Sequence, residues 1–264
     1  MKTKIRILGC GTANGVPSIA RGYGLCNPDN LKNTRTRTSI IVETETTRIL
    51  VDAGPDLRMQ LLDAGINQVD AVLFTHDHAD HLHGIDDLRE INRVTGHKIP
   101  IYGSNETMKT IATRFSYVFA ANNNMEEILE QPIYQPNLVK NIIENDTMFK
   151  IGDIEVRGFT ANHGWQKVTA YRFNDIVYMT DTVEIYDMEA EYLKNIKLFI
   201  VGCASYIKHP IHANVEMVLD WVNKLKPERT ILTHMGSGLD YDKLISELPK
   251  NVEPAFDGMA IIVN

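Results

Sequence analysis

Apolar residues recur with two periods along this chain, one typical of buried strands and one typical of amphipathic helices. The run 70–74 is apolar after its first residue, which predicts a strand buried on both faces of a parallel sheet. Beyond it, apolar residues at helical spacing occupy positions 82, 85, 88 and 91. The mainly polar residues 75–81 therefore lie between a strand and a helix, at the edge where open α/β sheets bind their ligands.

The same two periods divide the rest of the chain into short strands and helices. Strands are predicted at 4–9, 38–43, 48–52, 99–103, 138–143, 147–151, 154–160, 167–173, 176–180, 197–201, 229–233 and 259–263. Helices are predicted at 56–64, 81–91, 105–119, 187–195, 213–225 and 239–247. Because both halves are rich in strands followed by helices, we expect an α/β protein with two sheets packed face to face and helices outside, an αββα sandwich.

Length and continuity of pattern predict one domain over residues 1–264. The polar, proline-bearing segment 120–137 is predicted to be a mobile loop or partial lid rather than a linker, because strand patterns resume at once beyond it.

Charge, hydropathy and cysteine content indicate which partners and which cellular compartment suit the protein. The net charge is −7, which argues against general nucleic-acid binding, because such binding depends on many Lys and Arg contacts to phosphates. No apolar run is long enough for a membrane span, and the first residues show no signal-peptide pattern. Cys10, Cys26 and Cys203 are odd in number and far apart, which predicts free thiols in a reducing cytoplasm.

The segment 75–81 has the highest density of potential metal ligands in the chain, with three histidines and two aspartates. His76 and His78 are two residues apart, so in an extended segment both imidazoles point the same way and can hold one metal ion. Asp80 and His81 follow the turn and suit a second ion. Imidazole with carboxylate fits Zn²⁺, Mn²⁺ or Fe²⁺ better than Ca²⁺ or Mg²⁺. A solvated polar turn is the alternative, but the complete His-x-His-x-Asp-His pattern after an apolar strand favours the metal site.

Three more candidate ligands, His163, Asp181 and His234, each follow a predicted strand, where a rigid sheet can aim a side chain. Taken singly, each has an alternative: a loop histidine, a helix cap and a satisfied buried histidine. Asp52 also ends a strand, and it is either a helix cap or a group that supports the metal ligands. The glycine-rich loop 9–18 can bring its backbone close to a phosphate, although a simple tight turn is the alternative.

These motifs together resemble those of the metallo-β-lactamase superfamily. Within it the chain is most similar to the phosphoribosyl cyclic phosphate phosphodiesterases of phosphonate breakdown, on segments that span its length: 9–12, 15–17, 51–54, 75–81, 162–163, 180–182, 232–234 and 256–259. The resemblance implies the αββα fold, a homodimer and two divalent ions, Mn²⁺ or Zn²⁺. One ion would be held by His76, His78 and His163, and the other by Asp80, His81 and His234, with Asp181 between them. The relatives also carry a structural zinc, but here only Cys26 remains and Ser237 replaces a histidine, so no structural zinc is expected.

The implied function is a metal-dependent phosphodiesterase that hydrolyses a small cyclic or diester phosphate through a metal-bridging hydroxide. Asp80 and His212 would be catalytic, with His212 as proton donor to the leaving group; a capping or surface histidine is the alternative for His212. A tRNA 3′-processing endonuclease of the same superfamily and a non-catalytic metal-binding protein are the competing functions. No other histidine has motif support, so His83, His97 and His209 are predicted to be structural or surface residues. For Arg35 and Arg37, an exposed strand flank is favoured over a phosphate contact.

Overall fold

The computed structural model describes residues 2–122 and 135–264, and it contains two mixed β-sheets flanked by helices. The strands are β1 Thr3–Gly9, β2 Ser39–Glu43, β3 Arg48–Val51, β4 Ala71–Leu73, β5 Ile99–Gly103, β6 Leu138–Ile142, β7 Thr147–Ile151, β8 Ile154–His163, β9 Gln166–Phe173, β10 Ile176–Met179, β11 Leu198–Gly202, β12 Arg229–Thr233, β13 Val252–Pro254 and β14 Ala260–Val263. The helices are α1 Leu57–Asp63, α2 Ala79–Leu82, α3 Leu88–Thr95, α4 Asn105–Arg114, α5 Val215–Leu225 and α6 Tyr241–Glu247.

Each sheet has seven strands and combines a parallel with an antiparallel part. The first has the order β14-β1-β2-β3-β4-β5-β6, and the second has the order β13-β12-β11-β10-β9-β8-β7. Strands β3 to β6 run parallel in the first sheet, and strands β10 to β13 run parallel in the second. Parallel strands end at a common edge, so residues that follow β4, β10 and β12 are brought to the rim of their sheets.

The residues of the first sheet alternate between two apolar layers. In β2, Ile40 and Val42 belong to the core shared with the second sheet, whereas Ile41 packs under the helices on the opposite face. The same alternation places Leu73 in the first layer and Val72 in the second. Because both faces of these strands are covered, their sequences read as continuous apolar runs. The αββα sandwich expected from the sequence is confirmed.

The segment after the motif is not the continuous helix predicted for 81–91. It forms α2, a 3₁₀ turn at Ile85–Asp87 and then α3, with Gly84 at the break. The amide of Gly84 donates to the carbonyl of Ala53, and a side chain at this position would collide with the carbonyl of Gly54. The close approach of two backbones therefore interrupts a helix that apolar spacing alone predicts.

Three other element predictions need correction. The helix predicted at 187–195 is a single 3₁₀ turn at Glu191–Leu193, in which the amides of Leu193 and Lys194 donate to the carbonyls three residues earlier. The helix predicted at 105–119 ends at Arg114 and continues as a 3₁₀ segment at Ser116–Asn122. Strand β13 was not predicted, because three residues are too few to show a period. Most of the predicted loop 120–137 lies outside the described residues.

Arg35 is a buried crosslink rather than a residue of an exposed flank, so that prediction is wrong. Its side chain is almost fully buried and donates to the carbonyls of Leu239 at 2.7 Å and Gly236 at 3.2 Å. In the same region the amide of Leu25 donates to the carbonyl of Ser237 at 2.8 Å. These contacts tie the long loop after β1 to the loop after β12, which carries His234. The lack of a structural zinc beside Cys26 stays a prediction.

The three cysteines are free thiols, as predicted, and all three are buried. Among the described residues, no helix has the length and apolar content needed to cross a bilayer.

Candidate metal centre

The predicted ligands converge at one rim of the sandwich, from both sheets. His76 and its neighbours follow β4 of the first sheet. The second sheet contributes His163 at the end of β8, Asp181 just beyond β10 and His234 directly after β12. The imidazole centroids of His76 and His163 lie 5.4 Å apart, and those of His81 and His234 lie 5.8 Å apart. Residues from distant parts of the sequence thus share one small volume.

Within this volume the donor atoms form overlapping groups that could each hold a metal ion. In each group the donor atoms lie within 4.8 Å of one another, and the groups include His76, His78 and His163 as one set and Asp80, His81 and His234 as another. Asp181 contacts both sets: its Oδ1 lies 3.9 Å from Nε2 of His163 in the first set and 3.2 Å from Nε2 of His234 in the second. Its Oδ2 lies 3.1 Å from Nε2 of His81, also in the second set. The structure therefore brings together all seven residues that the resemblance implied.

Hydrogen bonds fix which nitrogen of each imidazole faces the centre. Nδ1 of His163 lies 2.7 Å from the carbonyl oxygen of Ile211, so it must carry the proton and donate it. Nδ1 of His81 lies 2.7 Å from a carboxylate oxygen of Asp52, with the same consequence. In the neutral form of both residues Nε2 therefore has the lone pair and points at the centre, which is the tautomer that a metal ligand requires.

Four imidazoles of the centre have buried nitrogens with no hydrogen-bond partner among the described residues. These atoms are Nε2 of His76, His81, His163 and His234. For Nε2 of His81, the nearest oxygens of Asp80 and Asp181 lie at 3.1 Å but not in hydrogen-bonding geometry. A buried polar atom without a partner costs about 1–3 kcal/mol, and four such atoms aimed at one point fit a bound cation. The residues present thus suit a metal site built from histidine and aspartate.

Asp52 connects the motif to the strand before it. Its carboxylate accepts from the amide of Thr75 at 2.8 Å and from the hydroxyl of Thr75, and it faces Nδ1 of His81. Because the Thr75 hydroxyl donates to Asp52, its oxygen is left to accept from Nδ1 of His76, 2.9 Å away. Of the two roles that the sequence left open for Asp52, the structure shows support of the ligands, because the helix that follows it, α1, has Asp56 and not Asp52 at its N-cap.

Replacing Asp52 by asparagine is expected to lower the affinity for the more weakly held divalent ion by about 10- to 100-fold. The amide cannot accept from both Thr75 and His81 as the carboxylate does, so the His81 ring loses the partner that fixes its tautomer. Chelator competition with Mn²⁺ or Zn²⁺ measures this affinity. Asp70→Asn is the matched control, because Asp70 also accepts from a backbone amide but lies away from the rim. Equal affinity in Asp52→Asn and the unaltered protein would contradict this role.

Three residues of the centre have left-handed backbone conformations that residues other than glycine rarely adopt. The φ angles are 64° for Asp52, 49° for Asp181 and 53° for His234. Each conformation costs about 1–3 kcal/mol and persists only where the surrounding structure imposes it. The hydrogen bonds and strands around the rim thus hold these side chains in directions that an unstrained strand end would not give them.

Burial and neighbouring charge set the protonation of the histidines. Burial lowers the pKa of His76 well below its usual value, and burial likewise lowers the pKa of His163. In His81 burial acts against the charged form, but the carboxylates of Asp80 and Asp181 outweigh it and raise the pKa well above the usual value. The carboxylates of Asp80 and Asp181 thus stabilise a positive charge on the His81 ring, and they would stabilise a metal cation for the same reason.

The ligand aspartates Asp80 and Asp181 stay ionised. Burial alone would raise the pKa of Asp181, but the imidazoles of His234 and His81 lower it well below its usual value. The pKa of Asp80 is lowered in the same way, against burial, by His81 and His234. Two carboxylates that remain anionic inside a buried cluster need a compensating cation.

His212 lies at the edge of the cluster, where the resemblance placed it. Its Nδ1 is 3.4 Å from Oδ1 of Asp181, and its ring is 4.9 Å from that of His163. Burial lowers the pKa of His212 to about 3, so its imidazole is neutral at pH 7. Asn214, two residues later, caps α5 by accepting from the amide of Met217, so His212 is not the helix cap of the alternative prediction.

A cavity of about 450 Å³ opens over the cluster and includes residues that the sequence did not single out. His209 is exposed, as predicted, but it also lines this cavity, with its ring centroid 5.2 Å from that of His212. Arg21 and the loop 12–14 line it as well. The glycines of the opening loop indicated a close approach to a ligand, but nothing in the sequence singled out Arg21.

Comparisons with known proteins agree with this geometry. The family model for the beta-lactamase superfamily domain matches residues 47–235. The crystal structure of a diphosphatase from the PhnP family superposes with a TM-score of 0.89 at 26% identity, covering 100% of this chain and 98% of that one. A Porphyromonas gingivalis protein (strain ATCC BAA-308 / W83) named octanoyltransferase is 30% identical over 98% of this chain and 51% of its own length. A ribonuclease Z of Treponema pallidum (strain Nichols) is 25% identical over 62% of this chain and 45% of its own length.

The chain thus spans about half the length of these two curated relatives. Their activities cannot be transferred whole, because the part of each that lies outside the match could carry the named reaction. The diphosphatase, in contrast, matches from end to end.

Proposed function

Because this chain belongs to the metallo-β-lactamase superfamily, we propose that it is a metal-dependent phosphodiesterase that hydrolyses a small cyclic or diester phosphate. The observation that carries the proposal is the convergence of five histidines and two aspartates at one rim, with four buried imidazole nitrogens unpartnered among the described residues. A binuclear centre of Mn²⁺ or Zn²⁺ is the proposed cofactor. His76, His78 and His163 would hold one ion, Asp80, His81 and His234 would hold the other, and Asp181 would lie between them.

Two bound divalent cations would lower the pKa of a water from about 15.7 towards 7 and offset the charge of the scissile phosphate. The chain's own contribution is to fix the directions of the ligands. Asp52 orients His81, and the carbonyl of Ile211 orients His163. Oδ1 of Asp181 lies 3.2 Å from Nε2 of His234 and 3.9 Å from Nε2 of His163, so one carboxylate oxygen faces a residue of each ligand set. Because the cluster is buried, charges within it act more strongly than they would in water.

Hydrolysis also requires that one proton of the attacking water end on the leaving oxygen. His212 is proposed to relay that proton, because its ring borders the cavity beside Asp181. A neutral imidazole has one N–H to give to the leaving oxygen, and its other nitrogen can accept the proton that the water releases. Asp80 is proposed to be a metal ligand in its ionised form and to be essential for the reaction.

The proposal is tested by removing metal and restoring it. Chelator-treated protein is expected to lose hydrolysis of bis-p-nitrophenyl phosphate, and Mn²⁺ or Zn²⁺ is expected to restore it by about 100-fold or more. Mg²⁺ is the control, since a site rich in imidazole suits it poorly. A panel of cyclic ribose phosphates and dinucleotides then identifies the substrate class. No activity with any ion on any of these esters would count against the phosphodiesterase and favour a non-catalytic metal-binding protein.

The second candidate is a tRNA 3′-processing endonuclease, favoured by the match to a ribonuclease Z. The net charge of −7 argues against it, because tRNA binding depends on many contacts from Lys and Arg to phosphates. Cleavage of precursor tRNA at physiological salt would support this candidate. An octanoyl thioester belongs in the same panel, because another relative is named an octanoyltransferase.

Three further proposals accompany this function. Residues 1–264 form one domain, since β1 pairs with β14 and the amide of Met235 donates to the carbonyl of Cys10, so that the first and last parts of the chain pack together. The protein acts in the cytoplasm, where three unpaired buried cysteines would persist. It forms a homodimer, as the resembled phosphodiesterases do.

A further inference from the structure

The cavity over the metal centre continues into a second, larger cavity. The outer cavity has a volume of about 570 Å³, and the two share six lining residues: Thr12, Ala13, Asn14, Arg21, Ala204 and Ser205. A cyclic ribose phosphate would occupy the inner cavity alone. A volume of several hundred Å³ beyond the reacting centre is typical of a site for an additional organic group.

The lining of the outer cavity is partly apolar and partly polar. Ile19 is fully exposed and Ile207 is 80% exposed, although both are large aliphatic side chains. The hydroxyl side chains of Ser18, Ser205 and Ser237 line the same cavity. The hydroxyl of Ser205 donates to the carbonyl of Ile207, and that of Ser18 accepts from the amide of Arg21. An acyl chain could offer no hydrogen bond to the hydroxyl of Ser237, and covering that group without a partner is unfavourable. A ring with an apolar face and polar edges, such as a nucleobase, can contact both kinds of group.

Arg21 borders both cavities and is exposed. Over residues 2–122 and 135–264, its side chain forms no ion pair and no hydrogen bond. Arg37, which also lines the outer cavity, is different: its Nη1 lies 2.9 and 3.1 Å from the two carboxylate oxygens of Asp56, and its Nε donates to the carbonyl of Ala13. Arg37 thus uses its guanidinium to hold the loop at Ala13, whereas the guanidinium N–H groups of Arg21 remain available to bind an anion.

We propose that the substrate is a nucleoside diphosphate derivative, with one phosphate at the metal centre, the second paired with Arg21 and the nucleoside in the outer cavity. This inference rests on the proposed function and specifies its substrate class. One unpaired arginine between two cavities suits a single additional phosphate. It does not suit a polynucleotide, which would need a series of cations along its path.

Binding of a non-hydrolysable ligand tests the inference without requiring turnover. Calorimetry on the Mn²⁺-loaded protein is expected to show that adenosine 5′-(α,β-methylene)diphosphate binds at least tenfold more tightly than methylenediphosphonate, which lacks the nucleoside. Arg21→Gln is expected to weaken binding of the nucleotide about tenfold or more, and Arg21→Lys by less. Arg93→Gln, on the exposed face of α3, is the matched control and should bind as the unaltered protein does. No binding, or equal binding by Arg21→Gln and Arg93→Gln, would overturn the inference.

The outer cavity is tested separately by Ile207→Asp, which places a negative charge beside the nucleoside. This variant is expected to reduce the preference for the nucleotide over methylenediphosphonate, and an unchanged preference would contradict a nucleoside at this place. Hydrolysis of bis-p-nitrophenyl phosphate by the same preparations reports the proposed function independently. Activity on that ester without nucleotide binding would refute the inference alone, whereas nucleotide binding without hydrolysis of any ester would refute the phosphodiesterase alone.

Discussion

Asp80→Ala is expected to lower kcat/KM for bis-p-nitrophenyl phosphate by at least about 1000-fold. The carboxylate lies with His81 and His234 in one of the ligand sets, with Oδ2 3.1 Å from Nε2 of His81 and 3.5 Å from Nε2 of His234. Its loss removes one of three ligands of that set and a negative charge that attracts the cation. Charge stabilisation by a metal ion contributes several kcal/mol to the transition state, and about 4 kcal/mol corresponds to the expected factor.

The measurement that accompanies this rate is metal content. The unaltered protein is expected to retain two equivalents of Mn²⁺ or Zn²⁺ after dialysis, and Asp80→Ala about one. Asp63→Ala, at an exposed aspartate of α1, should change neither quantity. Thermal unfolding of the metal-free proteins shows whether the variant still folds. If Asp80→Ala kept more than a tenth of the activity with two ions bound, Asp80 would be neither a ligand nor catalytic.

His212→Asn is expected to lower kcat by about 100-fold on an ester whose leaving group is a sugar or alkyl alcohol. The effect on bis-p-nitrophenyl phosphate should be much smaller, because p-nitrophenolate departs without first taking a proton. This contrast separates a proton donor from a residue that only supports the centre. His212 borders the cavity with its Nδ1 3.4 Å from Oδ1 of Asp181, so a supporting role is a real alternative.

His97→Asn is the control for this comparison, since His97 is an exposed histidine remote from the rim. It should leave the rates on both kinds of ester unchanged. Equal losses on the two esters in His212→Asn, together with a loss of bound metal, would show that His212 holds the centre in place. In that case the proton for the leaving oxygen would have to come from another group, with His209 as its imidazole neighbour in the cavity.

How far the sequence predicts this protein depends on the range of the interactions involved. The strand at Ala71–Leu73 and the ligands after it were predictable, because a buried parallel strand leaves a continuous apolar run and the motif follows within a few residues. His163, Asp181 and His234 could be proposed from their places at strand ends. Their meeting point follows only from the order of β8 to β12 in the second sheet and from the packing of the two sheets.

Other features depend on contacts between segments distant in sequence. The helix breaks at Gly84 because the backbone at Ala53 and Gly54 passes close to it. The local spacing of apolar residues gives no information about that contact. Arg35 looks like a surface residue in a polar stretch, yet the carbonyls of Gly236 and Leu239, about 200 positions away, bind its guanidinium. Asp52 had two equally suitable roles until the position of His81 was known.

By itself, then, the sequence determined the class of fold, the two sheets and the types of ligand, since these follow from side-chain period and from motifs a few residues long. Only the tertiary structure decided which imidazole nitrogens face the centre, which polar groups orient them and which arginine remains unpaired beside the cavity among the residues described. The physical reason is that hydrogen bonds and burial depend on which residues meet in space, and here the groups that meet come from segments separated in the sequence.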